Sequence, residues 1–544
     1  MDDSVEAAGG LTVRGAGQVE GADRTREQLV ADGVPGLLAQ KDPTLWGEDA
    51  EAESKIRLGW VDTYQRSREL VPALAALREE LADLDHVVLA GMGGSSLAPE
   101  VIALTLGLPL TVLDTTDPHQ VRTALADRLE RTVVVVASKS GSTVETDSHR
   151  RAYQQAFADA GLPAAEIGRH FVVVTDPGSP LEATAREMGA HVILADPEVG
   201  GRYSALTAFG LVPSALAGAD VAELLDQAEE LGRTIAADAD NPALALGAAL
   251  GAAALAGRDK VALVDDGTGI TGLGDWAEQL IAESTGKLSR GILPVVVETP
   301  TSPGATGDDV LTVTTGGALP PATFPGGGVA PHVAVNGPLG AQFLAWEVAT
   351  ALAGRVLGIN PFDQPNVTES KDNTKAILTG GAPDETPAFT EGAVEVYAAN
   401  LGSPASLAEA LTALLAAAGS DGYVAVMAYL DRFGDADAAR VRPELARASG
   451  RPVTFGWGPR FLHSTGQYHK GGPQVGAYLQ ITGAVVNDLD VPGQPYTFGQ
   501  LQAAQAAGDR QALAGRGRPL LRLHLTDRAA GVTQLLEAAR QLGA

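Results

Sequence analysis

The sequence has no cysteine among its 544 residues, so neither a disulfide bridge nor a thiolate metal site can form. Aromatic residues make up only 5% of the chain, although hydrophobic residues together reach 45%. The core must therefore consist mainly of Ala, Val and Leu, which suits helices packed on buried parallel strands. The absence of cysteine is compatible with the reducing cytoplasm, where we expect the protein.

Positive charge is scarce as well, because 39 lysines and arginines stand against 67 acidic residues and the formal net charge is −28. This excess of negative charge argues against nucleic acid as the main partner. The one long apolar run, residues 243–257, is shorter than the roughly 20 residues of a membrane-spanning helix. The acidic N-terminus, MDDSVEAAGG, is unlike a signal peptide. We therefore expect a soluble protein without a membrane partner.

The length of the chain allows about three domains. Short, continuous, β-branched runs alternate with helical stretches, which predicts parallel sheets covered by helices on both faces. Strands of a first sheet are predicted at 86–90, 110–113, 132–137, 170–174 and 191–194. A second series has strands at 260–264 and 292–297, helices at 273–285 and 339–357, and a long loop over 298–335. Four later strands, at 423–427, 452–455, 477–481 and 519–525, complete the second sheet or form a third subdomain.

We therefore predict an α/β protein with two doubly wound parallel-sheet lobes and an additional α/β C-terminal segment. The predicted divisions are a helical lead-in over 1–60, a first lobe over 61–225 and a second lobe over 226–375. Residues 376–544 form the C-terminal segment, which packs on the second lobe or completes it.

Two loops rich in Gly and Ser follow strands of the first predicted sheet, GMGGSS at 91–96 and SKSGST at 138–143. Ligands of open parallel sheets bind at the carboxyl ends of strands, where backbone N–H groups and helix N-termini attract anions. The hydroxyls of Ser138, Ser140 and Thr143 suit a phosphate monoester. The second loop is therefore a candidate phosphate site.

Other interpretations of the two loops remain open. Ser142 and Glu145 fit a capping box, which places a helix start directly after the second loop. Either loop alone also fits a tight turn packed with small residues. The first loop, followed by Asp114 at the end of the next strand, resembles a dinucleotide-binding motif. It lacks the third glycine of that motif, which would also leave the hydroxyl-rich loop without a role.

Candidates for acid–base chemistry follow in the second half of the chain. Arg202 lies in a glycine turn, GGRYS, and an arginine there suits a phosphate or a developing oxyanion. Glu283 lies near the carboxyl end of an apolar helix, where the helix dipole raises the pKa of a carboxyl group towards that of a general base. The alternatives are a surface salt bridge for Arg202 and an ordinary ion pair of Glu283 with Lys287.

Five ordered segments resemble the glucose-6-phosphate isomerase (phosphoglucose isomerase) family, in particular its long actinobacterial type, which is also found fused behind transaldolase. The matching segments are GMGGSSLAP at 91–99, SKSGSTVET at 138–146, GGRYSALTAFGL at 200–211, ESTGK at 283–287 and FDQPNVTESK at 362–371. The resemblance implies reversible isomerisation of glucose 6-phosphate and fructose 6-phosphate through a cis-enediol, in glycolysis and gluconeogenesis. It implies no metal and no organic cofactor.

The resemblance also implies roles for individual residues. Those that would hold the substrate are Ser138, Lys139, Ser140 and Thr143 at the phosphate, Gln364 at the phosphate end, and Gly94 and Ser95 at the sugar. Glu283 would move the proton between C2 and C1, and Arg202 would stabilise the enediolate. Lys371 would act near the ring oxygen during ring opening.

One family segment is missing, a GTNGQH loop between the base and the FDQ segment, whose histidine opens the sugar ring. The only histidine at 288–361, His332, does not match it. We predict that HSTGQYH at 463–469 replaces that loop, with His469 preferred over His463. The two histidines match no zinc-binding spacing. In the family the ring-opening histidine comes from the partner subunit, and we expect a homodimer.

Three function classes are compatible with these patterns. The first is the isomerase, with a bifunctional glucose/mannose-6-phosphate isomerase as its variant. The second is a non-catalytic phosphosugar-binding module, which would need the hydroxyl-rich loop but not Glu283. The third is the nicotinamide oxidoreductase that the first loop imitates. The five ordered segments favour the first.

Overall fold

The computed structural model describes residues 5–318, 333–366, 368–381 and 385–542. In chain order the strands are β1 Val5–Ala8, β2 Leu11–Arg14, β3 His86–Gly91, β4 Thr111–Leu113, β5 Thr132–Ala137, β6 Phe171–Thr175, β7 His191–Leu194, β8 Lys260–Asp265, β9 Leu293–Val296, β10 Val310–Gly316, β11 Val333–Asn336, β12 Phe389–Glu391, β13 Val394–Tyr397, β14 Tyr423–Tyr429, β15 Val453–Trp457, β16 Gly476–Gly483 and β17 Leu520–Leu525. They form three sheets.

The helices cover the faces of these sheets. In chain order they are α1 Ala22–Ala31, α2 Val34–Ala39, α3 Glu48–Ser54, α4 Thr63–Arg66, α5 Leu70–Glu80, α6 Leu97–Leu106, α7 Pro118–Ala126, α8 Val144–Asp159, α9 Ala164–Ile167, α10 Pro180–Glu187, α11 Ala208–Ala217, α12 Val221–Gly232, α13 Pro242–Leu255, α14 Leu273–Thr285, α15 Leu339–Val356, α16 Thr368–Gly380, α17 Leu407–Ala417, α18 Val441–Ser449, α19 Gly466–Gly471, α20 Phe498–Ala514 and α21 Arg528–Leu542.

The first sheet is parallel throughout, in the order β4-β3-β5-β6-β7. All five predicted strands are confirmed, with ends that move by one or two residues. β4 follows β3 in sequence and pairs with one edge of β3, whereas β5 pairs with the other edge. The direction in which strands are added to the sheet therefore reverses at β3. A crevice therefore opens at the carboxyl ends of β3 and β5, which is where ligands bind in open parallel sheets.

The second sheet repeats this strand order, with β9, β8, β10 and β11 parallel and in the places of β4, β3, β5 and β6. The α/β fold class is thus confirmed. The predicted loop over 298–335 is wrong in part, because it contains β10 and the start of β11. The Thr- and Gly-rich run of β10 has a loop-like composition, yet threonine is β-branched and every residue of the strand is buried.

The N-terminal segment is not only helical, since β1 and β2 form an antiparallel hairpin that extends the second sheet beside β11. Each of these strands has four residues, with Leu11 and Val13 facing the core. Alternation over so few residues is a weak sequence signal, which explains why the strands were not predicted. The predicted apolar run becomes α13, packed against α1 and α15 and capped by Asn241 as the Asn-Pro pair indicates. Within the described ranges, no helix is both long and apolar enough to cross a membrane.

The C-terminal segment forms a sheet of its own, in the order β12-β13-β17-β16-β14-β15, around a separate aliphatic core. Its four predicted strands are confirmed as β14 to β17. Tyr423, Tyr468 and Tyr478 pack with residues of β8, β9 and α14, so this unit lies against the second lobe. The boundaries at residues 60, 225 and 375 remain predictions.

Candidate active site

The hydroxyl-rich loop, residues 138–143, connects β5 to α8 at the crevice of the first sheet. Gly141 has a φ of 67°, and a Cβ atom there would lie 2.8 Å from Leu181 Cβ, so the tight turn requires glycine. The Oγ of Ser138 lies 3.0 Å from Thr143 Oγ1. Hydroxyls thus gather at the N-terminus of a helix of 16 residues, an arrangement that attracts an anion.

The predicted capping box is wrong, because Thr143 precedes α8 and no side chain caps the helix. The carboxylate of Glu145 turns inward instead and is 4% exposed. Its Oε1 accepts hydrogen bonds from His463 Nε2 at 3.1 Å and from Gln505 Nε2 at 2.7 Å. The carboxylate thus bonds to partners that are distant in sequence, and the Thr143 side chain leaves the N-terminus of α8 uncapped.

The first glycine-rich loop serves close packing between elements. A Cβ atom on Gly94 would overlap the carbonyl oxygen of Gly201, and the hydroxyl of Ser204 donates to Gly94 O at 3.2 Å. A Cβ atom on Gly93 would lie 2.5 Å from Gln279 Nε2 and 2.9 Å from the carbonyl oxygen of His463. The glycines therefore bring the Arg202 turn, α14 and the histidine segment together, with Ser95 buried in the same loop.

This packing argues against the dinucleotide interpretation of the first loop. A pyrophosphate needs open space beside the glycines, and here protein backbone fills it. The carboxylate of Asp114 accepts hydrogen bonds from Arg460 Nη1 at 2.8 Å and from Ser96 Oγ at 3.4 Å. It is therefore occupied by protein and not placed to bind a ribose.

Arg202 is buried, and all five of its N–H groups have partners. Nε donates to Ser284 Oγ at 3.0 Å, and Nη2 donates to the carbonyl oxygens of Pro361 and Asp363 at 2.7 and 2.9 Å. Nη1 donates to Gln364 Oε1 at 3.0 Å and to Glu283 Oε2 at 3.4 Å. The bond to Glu283 is the longest, so it is the one that a ligand oxygen would most easily replace.

Glu283 is 6% exposed and lies in the last turn of α14. Burial raises the pKa of its carboxyl group above the ordinary value, although Arg202 and His463 oppose this shift. The alternative ion pair with Lys287 is excluded, because the Lys287 ammonium donates to Asn360 O at 2.8 Å and to Asp363 Oδ1 at 2.7 Å. Burial and the charge of Arg202 lower the pKa of Lys287 to about 8. Glu283 is thus a buried carboxyl group of raised pKa in contact with a buried arginine.

The two candidate histidines occupy different environments. His463 ends a short 3₁₀ turn after β15 and lines a cavity of about 460 Å³. His469 lies on α19 among Tyr423, Phe461 and Tyr478, and neither of its ring nitrogens has a hydrogen-bond partner. Burial there lowers its pKa well below the ordinary value. His463 lines this cavity and His469 is not among its lining residues, while the choice between the two as the ring-opening histidine stays a prediction.

The same cavity joins the phosphate loop to the C-terminal unit. Its lining residues are Ser140, Ser142, Thr143, Val144, Glu145, Ser370, Lys371, Thr374, Lys375, Leu378, Thr379, Leu462, His463, Lys470, Gln494, Pro495, Tyr496 and Gln505. Lys371 is exposed towards it from α16. Lys139 lies to one side, paired with Asp176 at 2.7 Å, and so anchors the loop. Arg202 and Glu283 are not among the lining residues, but Glu283 is close enough to His463 for the two to interact electrostatically.

In the second sheet, a hydrogen-bonded aspartate lies at the carboxyl ends of β8 and β10. The carboxylate of Asp266 accepts from Thr268 N at 2.8 Å and from Asn336 Nδ2 at 2.8 Å, and it lies against Gly316. In the described parts of the chain, no group of three or more His, Asp or Glu side chains suits a metal ion. His332 lies outside the described residues.

A buried base and its arginine, beside an anion-binding helix start, provide what proton transfer within a phosphorylated sugar requires. Phosphosugar isomerases are the class that this fold and site define. The family model for phosphoglucose isomerase matches residues 77–304. A probable glucose-6-phosphate isomerase of Haloarcula marismortui is 30% identical over 360 residues, which cover 57% of this chain and 82% of that protein. The chain belongs to the glucose-6-phosphate isomerase family.

Other relatives match shorter stretches. The glucose-6-phosphate isomerase of Thermosynechococcus vestitus is 37% identical over 194 residues, and the match covers 36% of its length. A hypothetical protein from Thermus thermophilus has a TM-score of 0.55 at 25% identity, covering 66% of this chain and 95% of that one. A glucose-6-phosphate isomerase from Chlamydia trachomatis, with a TM-score of 0.53 at 21% identity, shows the same fold.

Proposed function

We propose that the protein interconverts glucose 6-phosphate and fructose 6-phosphate through a cis-enediol, as a step of glycolysis and gluconeogenesis in the cytoplasm. The contact of buried Glu283 with buried Arg202, at 3.4 Å, carries this proposal. A buried carboxyl group of raised pKa in contact with a buried arginine supports a role for this pair in proton transfer. We also assign the chain to the long actinobacterial type of the family.

Substrate binding uses the phosphate loop as its anchor. The hydroxyls of Ser138, Ser140 and Thr143 and the start of α8 hold the phosphate, while Lys139 keeps the loop in place through Asp176. Gln364 orients the phosphate end, and the loop of Gly94 and Ser95 bounds the sugar. Holding one end of the substrate fixes the reacting carbons relative to the base.

Ring opening is the task of His463. Glu145 is buried and accepts from Nε2, and the imidazole charge helps to hold the pKa of this carboxyl group below its ordinary value against the effect of burial. An ionised carboxylate only accepts, so Nε2 carries a proton and Nδ1 is the nitrogen that exchanges a proton with the ring oxygen. Lys371 supports this step from the opposite side of the cavity.

Isomerisation then follows by proton transfer. Glu283 removes the proton from C2 of the open-chain aldose and returns it to C1, while a second proton moves from the C2 hydroxyl oxygen to the C1 oxygen, so no net proton is gained or lost. The intermediate cis-enediolate carries negative charge on its oxygens, and Arg202 stabilises it when substrate replaces the long hydrogen bond to Glu283. The raised pKa of Glu283 makes it a stronger base than an ordinary carboxylate.

The decisive test replaces Glu283 with Gln. Fructose 6-phosphate formation and deuterium uptake at C2, followed by NMR in D₂O, should both fall by about 10²- to 10⁴-fold, the usual contribution of a general base. Glu278→Gln is the matched control on the same helix. Burial raises the pKa of Glu278 to about 8, so at pH 7 its side chain is mostly neutral and glutamine resembles it. Near-normal turnover of Glu283→Gln would remove this residue from the mechanism.

The same assay separates the alternatives. A bifunctional glucose/mannose-6-phosphate isomerase also converts mannose 6-phosphate, whereas a binding module binds fructose 6-phosphate without turnover. A homodimer remains a prediction. The site itself needs no partner residue for ring opening, because His463 of the same chain already contacts Glu145.

A further inference from the structure

A second side chain of the C-terminal unit reaches the site. Gln505, on α20, is 2% exposed, and its Nε2 donates to Glu145 Oε1 at 2.7 Å. Its Oε1 lies 2.6 Å from the hydroxyl of Thr116, which is fully buried in the connection between β4 and α7. Thr116, Gln505, Glu145 and His463 thus form one chain of hydrogen bonds from four parts of the sequence.

The direction of each bond in this chain is fixed. Glu145 accepts from His463 and has a lowered pKa, so the amide NH₂ of Gln505 must face it as a donor. The amide oxygen of Gln505 then faces Thr116, whose hydroxyl must donate. The Thr116 hydroxyl therefore holds the amide in the orientation that serves the carboxylate, and a reversed amide would place two acceptors together.

We propose that Gln505 and Thr116 are positioning residues for ring opening, because they hold Glu145 so that the Nε2 proton of His463 stays directed at it. This rests on the proposed function. Gln505 donates a hydrogen bond to Glu145 Oε1, the same oxygen that accepts from His463 Nε2. Thr116 acts on this oxygen only through Gln505. Their contribution belongs to the step that uses His463 and not to proton transfer by Glu283.

The experiment compares a cyclic with an acyclic substrate. Fructose 6-phosphate must open before it reacts, whereas 5-deoxyfructose 6-phosphate lacks the hydroxyl that closes the furanose ring and stays open. Turnover of fructose 6-phosphate is measured in a coupled assay. Deuterium exchange at C1 of 5-deoxyfructose 6-phosphate is measured by NMR. Thr116→Val and Gln505→Met each remove a hydrogen-bonding group at nearly constant volume.

We expect both variants to lower kcat on fructose 6-phosphate about tenfold, the effect of losing about 1.4 kcal/mol from a hydrogen bond to a charged group. Exchange with the acyclic ketose should stay within about twofold of wild type, since that reaction needs no ring opening. Thr116→Ser retains the hydroxyl and should restore turnover. Gln502→Met is the control, because Gln502 is also buried on α20 but donates to Asp117 at 3.3 Å.

Each outcome decides between the proposals. An equal loss on both substrates means a general structural role for Gln505 and Thr116 and overturns the inference, as does an unchanged kcat. A raised KM with unchanged kcat means that Gln505 contacts the substrate directly, which also overturns it. If the wild-type protein converts neither hexose phosphate, the proposed function fails. If the wild-type enzyme is active and the variants keep its ratio of activities on the two substrates, only the positioning role is refuted.

Discussion

Arg202 offers the sharpest test of the electrostatic part of the mechanism, through the substitution Arg202→Lys. The charge remains, but three ammonium donors replace five guanidinium donors. The carbonyl oxygens of Pro361 and Asp363, now held at 2.7 and 2.9 Å by Nη2, cannot both be reached by a donor that also serves Glu283. We therefore expect losses in both stability and turnover.

The two losses have separate magnitudes. A buried carbonyl left without a partner costs about 1–3 kcal/mol of unfolding free energy, which appears as a lower Tm. Removing one donor from a developing oxyanion lowers kcat by about 10²- to 10³-fold. Coupled kinetics with fructose 6-phosphate and thermal unfolding monitored by circular dichroism measure these effects independently on the same sample.

Arg442→Lys is the matched comparison. Arg442 is buried as well and pairs with the carboxylate of Glu298, with its Nε donating at 2.8 Å, but it lies outside the proposed site. Its replacement should lower Tm and leave kcat close to wild type. If Arg202→Lys instead lost Tm but kept kcat within about threefold of wild type, the arginine would be structural and the oxyanion role refuted.

Three further outcomes follow from the structure. Gly94→Ala should abolish turnover by displacing the Arg202 turn, whereas Gly200→Ala, where a Cβ meets nothing within 4 Å, should be tolerated; equal activities of the purified variants would contradict this. His463→Ala should lose hexose isomerisation. His469→Phe should retain it, since His469 packs among aromatic rings. The reverse result would make His469 the ring-opening histidine. Glu278 has a pKa raised from 4.5 to about 8, so the folded state holds a proton that the unfolded state releases. The favourable contribution of Glu278 to the free energy of unfolding is therefore present below pH 4.5 and is lost as the pH rises towards 8. The Tm of Glu278→Gln should therefore rise relative to the Tm of wild type between pH 4.5 and about 8. Parallel curves of Tm against pH for the two proteins would contradict the raised pKa of Glu278.

Much of this site could be predicted from local sequence. The strand–loop–helix pattern around residues 138–143 predicted the observed cluster of hydroxyls at a helix start, because small residues and a helix start act over a few positions. Glu283 and Arg202 were found through short motifs. What they contact depends on folding, since the partners of Arg202 extend from Ser284 to Gln364.

The errors share one physical cause, which is competition from distant partners. Glu145 fits a capping box by spacing, but His463 and Gln505 bind its carboxylate instead. Thr116 and Gln505 are 389 residues apart and carry no motif, so no pattern could connect them. Sequence favoured His469 over His463, whereas only the folded chain shows that α19 packs into an aromatic core.

The position of His463 has a consequence for how the enzyme behaves in dilute solution. In the family arrangement the corresponding histidine arrives from a second subunit, so catalytic competence depends on association. In the mechanism that we propose, this histidine is His463, which follows β15 on the same chain as Glu283, so the fold fixes its local concentration independently of protein concentration. Tethered groups reach effective concentrations in the mM range even with flexible linkers, and a packed unit does better. Association between copies is thus free to serve stability or regulation without being a condition for ring opening.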